Sequence, residues 1–91
     1  MAVIDIRREH GKSIKSAKAA VERVARQIAE EHGVDHHWEG DELRFDKAGV
    51  HGHIAVEKRE VHVRVELGFL MGALKSLIQR EIERHLDEHL A

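Results

Sequence analysis

The chain of 91 residues contains no cysteine, proline, threonine, asparagine or tyrosine, and only three aromatic rings: Trp38, Phe45 and Phe69. Without cysteine there is no disulfide and no thiolate metal site, so a reducing cytoplasm is a compatible and expected location. Ser13, Ser16 and Ser76 are the only hydroxyl side chains. Nucleophilic and acid–base chemistry is therefore left to three serines and to His, Asp, Glu, Lys and Arg. No G-x-S-x-G, P-loop or G-x-G-x-x-G pattern is present. From this thin inventory we expect no enzyme and no cofactor. The opening residues "MAVIDIRREHGKS" lack an apolar signal-peptide core, and no apolar run approaches the roughly 20 residues of a membrane helix. The formal charge of −2 gives no basic field for nucleic acid.

What is present is regular patterning. The length predicts one domain over residues 1–91. "AVIDIRR" alternates, with Ala2, Ile4 and Ile6 on one side, and reads as a strand. Ser13 is placed to cap a helix. Behind it Ile14, Ala17, Val21, Val24, Ala25 and Ile28 recur at spacings of three and four, and Gly33 offers a stop. Gly40-Asp41 suits a two-residue type II′ hairpin, which pairs Trp38 with Leu43 and His36 with Phe45. After a turn at Gly49, a four-residue "EKRE" loop pairs Val56 with Val61 and Ile54 with Val63. An odd loop would lose the apolar face. "FLMGALKSLIQREIERHLDEHLA" reads as one long helix. The expected fold is α+β: a curved antiparallel sheet of four to five strands with two helices on one face, in the order β-α-β-β-β-β-α.

The last helix holds a conflict. Leu70, Met71, Leu74, Leu77 and Ile78 form an apolar face, but Ile78, Ile82, Leu86 and Leu90 then step by four and drift. Glu81, His85 and His89 occupy the wheel positions where the first stripe would continue. At 1.5 Å per residue the helix also overruns a seven-residue strand by roughly 9 Å. We therefore expect its last turns to pack away from the sheet, against either the first helix and solvent or a partner subunit. The second alternative makes Ile82, Leu86, Leu90, His85 and His89 a candidate homodimer interface.

Nine histidines offer the other candidate chemistry. In the even register His51, His53 and His62 project, with His37, from the face opposite the helices. Zinc wants three or four ligands at about 2.0–2.1 Å, and Arg64 in the middle of this group opposes a cation. A solvated strand face is the expectation, with a metal site or a pH-dependent surface as alternatives. His36 falls on the helix-covered face, where no nucleophile is evident for it to activate. Trp38 and Phe45 either fill the core or wall a small apolar pocket between sheet and helices.

The words "HHWEGDELRF", "AGVHGHIAV" and "VHVRVELGFLMGALKSLIQREIERHLDEHL" resemble the polyhydroxyalkanoic acid system proteins, small bacterial proteins encoded beside polyhydroxyalkanoate genes. The resemblance spans nearly the whole chain and rests on turns, strand faces and a helix entry. It implies a cytoplasmic accessory protein of polyester storage, acting at the granule or on its regulation; we expect it to act through protein contacts, with a second copy of itself or granule-associated proteins as partners. A small-ligand or metal-binding module, using the sheet–helix space or the histidine face, is the alternative.

Overall fold

Alternation of apolar and polar residues builds five strands: β1 (Ala2–Glu9), β2 (Asp35–Glu39), β3 (Glu42–Lys47), β4 (Val50–Val56) and β5 (Glu60–Leu67). The structure is a computed structural model that describes residues 2–47 and 49–90, with all side chains in those ranges except 69–71. The strands form one antiparallel sheet in the order β1-β5-β4-β3-β2. Two helices, α1 (Ile14–His32) and α2 (Lys75–Leu90), complete an α+β fold. β1 lies at the far edge from β2, so α1 crosses the sheet between them. No helix among the described residues is long and apolar enough to cross a membrane.

The hairpin registers follow the pattern of the side chains. Trp38 faces Leu43 and His36 faces Phe45, across a turn in which Gly40 takes φ +62° and Asp41 does not take positive φ. Those signs belong to type II′ rather than type I′, and glycine alone enters the first position without strain. Ile54 faces Val63 and Val56 faces Val61. Ile4, Ile6, Leu43, Ile54, Val61, Val63 and Val65 thus meet on one buried face. At Gly52 a Cβ would lie 2.6 Å from the Phe45 ring and 2.7 Å from the Arg64 carbonyl oxygen. The ring of Phe45 occupies the space that a side chain at position 52 would need.

Helix α1 begins at Ser13, whose hydroxyl accepts the Ser16 N–H at 3.1 Å. It ends at Gly33, left-handed at φ +67°, whose N–H donates to the Ala29 carbonyl at 2.8 Å. Ala17, Ala20, Val21, Val24 and Ala25 are buried. Three alanines in that stripe let the helix axis come close to the sheet. Ile14, at the first turn, stays exposed.

The last helix departs from expectation in two ways. Phe69–Leu74 is a 3₁₀ segment, and the α-helix starts only at Lys75. Gly68 supplies no side chain to cap the entry, and tighter turns are common at such helix starts. Helix α2 has 16 residues, about 24 Å at 1.5 Å each, which a strand of eight residues spans without overrun. The burial is also inverted. Leu74 and Leu77 are 44% and 60% exposed, while Ile82, His85 and Leu86 are buried and Leu90 packs on the core. Leu70 and Met71 lie outside the described side chains. The last turns meet α1 and β1: His89 Nε2 lies 2.9 Å from Gln27 Oε1, and Arg8 reaches Glu83 and Asp87 at 3.8 and 3.6 Å. Ile82, His85 and Leu86 are therefore interior to this one chain.

Candidate functional site

Antiparallel packing of the helices leaves part of the sheet uncovered. Gln27 of α1 meets His89 of α2, and His32 of α1 meets Glu81 of α2. Helix α1 stops at Gly33, while α2 and the 3₁₀ segment before it continue past that point. Among the described residues, Leu74, Leu77 and Ile78 line the space beyond the end of α1, with residues of β3, β4 and β5 beneath them. A groove of about 190 Å³ results. Ile54, Val63 and Val65 form its floor, and Ile28, Phe45 and Val50 its sides. Polar groups stand only at the rim, from His32, His36, Lys47 and Glu81. Among the described residues, the exposed Leu77 at its lip is the most exposed large apolar side chain.

The rim is held by polar contacts between elements. His32 Nε2 lies 2.8 Å from Glu81 Oε1, and Lys47 Nζ donates to the His32 carbonyl oxygen, tying β3 to the end of α1. The hydrogen bond from His32 does most to hold the Glu81 carboxyl below its ordinary value. His36 Nε2 lies 3.3 Å from Glu22 Oε2, and Trp38 Nε1 donates to Glu22 Oε1 at 2.8 Å. Partial burial pushes the Glu22 carboxyl up, but the hydrogen bonds from Trp38 and His36 outweigh it and leave the group below its ordinary value. His36 and Phe45 thus line the groove. Trp38 packs at the other end of the β2–β3 hairpin, with Lys18 Nζ 4.9 Å above its ring.

The sheet-face histidines are placed in strand register as expected but do not converge. His51 pairs with Asp46, and His62 Nε2 lies 2.8 Å from Asp5 Oδ1. His53 sits opposite Arg64 on β5 and Arg44 on β3. His37 reaches only Glu39, at 4.0 Å. The His62 contact is the main reason that the Asp5 carboxyl lies below its ordinary value. Among the described residues, the ligand atoms of His37, His51, His53 and His62 form no metal-sized group. Each imidazole that finds a carboxylate finds a different one, and arginines stand between them.

His10, a histidine with no pattern to mark it in the sequence, is buried. Its Nε2 lies 2.8 Å from the Glu57 carbonyl oxygen, and its Nδ1 accepts the Lys12 N–H at 3.2 Å. With Nδ1 accepting, Nε2 carries the proton and donates, so the ring locks the end of β1 to the β4–β5 turn. No sequence signal separates such a histidine from an exposed one.

Residues 4–90 match the family described as "Putative polyhydroxyalkanoic acid system protein". The chain belongs to this family of small α+β polyhydroxyalkanoic acid system proteins. No curated protein and no solved structure matches it.

Proposed function

We propose that this chain is a non-enzymatic accessory protein of polyhydroxyalkanoate storage, and that its groove receives a short aliphatic stretch of a hydroxyacyl chain. The open apolar groove carries this reading: a soluble chain seldom leaves large leucines at the lip of a hydrophobic cleft without an occupant. Its volume is about 190 Å³. That is small beside the roughly 300–1,000 Å³ of drug-sized sites, and suits several methylenes rather than a whole cofactor. Lys47, His32 and His36 at the rim offer donors to a carboxylate or ester oxygen, and no serine lines the groove.

The exposure of Leu74 and Leu77 favours a second reading, in which a second copy of the chain or a granule-associated protein covers the same lip. With an acyl chain or a granule-associated protein as the occupant, the protein works at the polyester granule. Co-sedimentation with isolated granules tests them together. Wild-type protein should pellet with granules, and Leu77→Glu, at a position exposed enough to leave the fold intact, should stay in the supernatant. Equal pelleting of both proteins would contradict use of the groove. Stripping granules of protein beforehand separates the readings. Binding retained on bare polyester supports an acyl occupant, and binding lost with the stripped proteins supports a protein partner.

A further inference from the structure

We propose that Glu31, His32, Glu81 and His85 form a binding site for one divalent transition-metal ion of the zinc class at the mouth of the groove. Glu31 and His32 occupy the last turn of α1. Glu81 and His85, four residues apart, share one face of α2. The packing of the two helices brings the four side chains together.

The distances have the scale of a tetrahedral site. Glu81 Oε1 lies 2.8 Å from His32 Nε2 and 4.0 Å from His85 Nε2. Glu31 Oε2 lies 3.8 Å from each of the same two nitrogens. Ligand atoms at about 2.0–2.1 Å from a central zinc stand roughly 3.3–3.4 Å from one another. Glu31, His32 and Glu81 each offer a ligand atom within 4.8 Å of the other two, and His85 Nε2 approaches both carboxylates from the buried side, so the partly exposed side chains would have to shift to close the set on an ion. Two carboxylates and two imidazoles are a donor combination that zinc accepts. Among the described residues no lysine or arginine forms an ion pair with Glu31 or Glu81, in contrast to the arginine-rich sheet face.

His85 supplies the independent observation. It is 0% exposed, and neither ring nitrogen has a hydrogen-bond partner. Buried polar atoms in native proteins almost always have one, and carboxylates at 3.8–4.0 Å are too distant to serve. The orphaned Nε2 points at the two carboxylates that also face His32. The other nitrogen, Nδ1, lies 3.9 Å from Glu88 Oε2. A ligating histidine commonly turns its second nitrogen toward such a carboxylate. A metal on Nε2, with Nδ1–H directed at Glu88, satisfies both atoms at once. The ion would bolt the end of α1 to the middle of α2 and fix the rim formed by His32 and Glu81. The site does not depend on what occupies the groove.

Calorimetric titration of the untagged full chain with zinc chloride tests the assignment. The expected result is one ion per chain with micromolar or tighter affinity. His32→Ala and Glu81→Gln, both at partly exposed positions, should each weaken it by at least about tenfold. Glu88→Ala should weaken it less, as loss of a supporting carboxylate does. A His51→Ala, His53→Ala double variant should bind as wild type. Cobalt(II) should give the intense visible absorption of a tetrahedral site, lost in His32→Ala. Circular dichroism on each variant confirms that it is folded. Absence of zinc binding at micromolar concentration would overturn the proposal. So would binding undiminished in His32→Ala or Glu81→Gln, or binding lost in the sheet-face double variant.

Discussion

Glu22 shows how one surface carboxylate on a helix can organise a strand. It accepts from the Trp38 indole and lies within hydrogen-bond reach of His36, while Arg26 lies one turn away at 3.0 Å. The only tryptophan is thereby fixed over the hairpin, with Lys18 on its outer face. Hydrogen bonds to a charged group are worth about 1.5–3 kcal/mol, and partial exposure of Glu22 reduces this. Glu22→Gln should therefore cost about 1–2 kcal/mol at neutral pH, measured by urea unfolding with Trp38 fluorescence as the probe. The carboxyl is held below its ordinary value of 4.5, so the folded state binds its proton less readily than the unfolded state does. The contribution is then complete above about pH 4.5 and fades as pH falls through the folded-state pKa. The difference between wild type and Glu22→Gln should shrink on acidification below pH 4.5. At this scale the strand faces were legible: alternation alone put His36, Trp38, Leu43 and Phe45 on one side. Their partners on α1 were not, because Glu22 resembles any other solvated helix glutamate until the helix is laid across the hairpin.

At the scale of elements, α2 separates what periodicity can tell from what it cannot. The two hairpins were readable because register follows from a two-residue turn and an even loop. The final helix was misread for two physical reasons. A 3₁₀ segment advances about 120° per residue against 100° in an α-helix. Six such residues displace the apolar stripe by roughly 120°, so extrapolation from Gly68 loses phase. In addition, a histidine's polarity marks the end of an apolar face in the sequence, whereas His85 is wholly buried and belongs to the inward face. A pair of substitutions tests the resulting order of burial. Leu86→Ala, in the core at 0% exposure, should destabilise by about 2–5 kcal/mol. Leu77→Ala, 60% exposed, should change stability by no more than about 0.5 kcal/mol. Denaturant titration of both variants measures this, and comparable losses at the two positions would contradict the packing described. The cluster at the groove mouth was hidden by the same mistake. The signal was present as Glu81 and His85 at i,i+4 and as Glu31-His32 before the glycine stop, but only the antiparallel helix pairing joins them.

For the whole molecule, the working surface proposed above arises from where the two helices stop. Helix α1 ends at Gly33 before the sheet does, α2 and its 3₁₀ entry continue, and the interval is an apolar groove with a polar rim. On the histidine-rich outer face, the most conspicuous feature of the sequence, His37, His51 and His62 each meet a different carboxylate, and His53 lies between two arginines. The family was legible in the sequence because its shared words are turns and strand faces. The groove was legible only as a possible space between sheet and helices, since its shape depends on where two helices stop. The central claim is that this groove binds an aliphatic hydroxyacyl chain. Titration of isotope-labelled protein with 3-hydroxydecanoate, followed by amide and methyl NMR shifts, tests it most directly. The account predicts saturable shifts centred on Ile28, Phe45, Val50, Leu77 and Ile78. Shifts that never saturate, or that fall on His51, His53 and Arg64 of the opposite face, would contradict it.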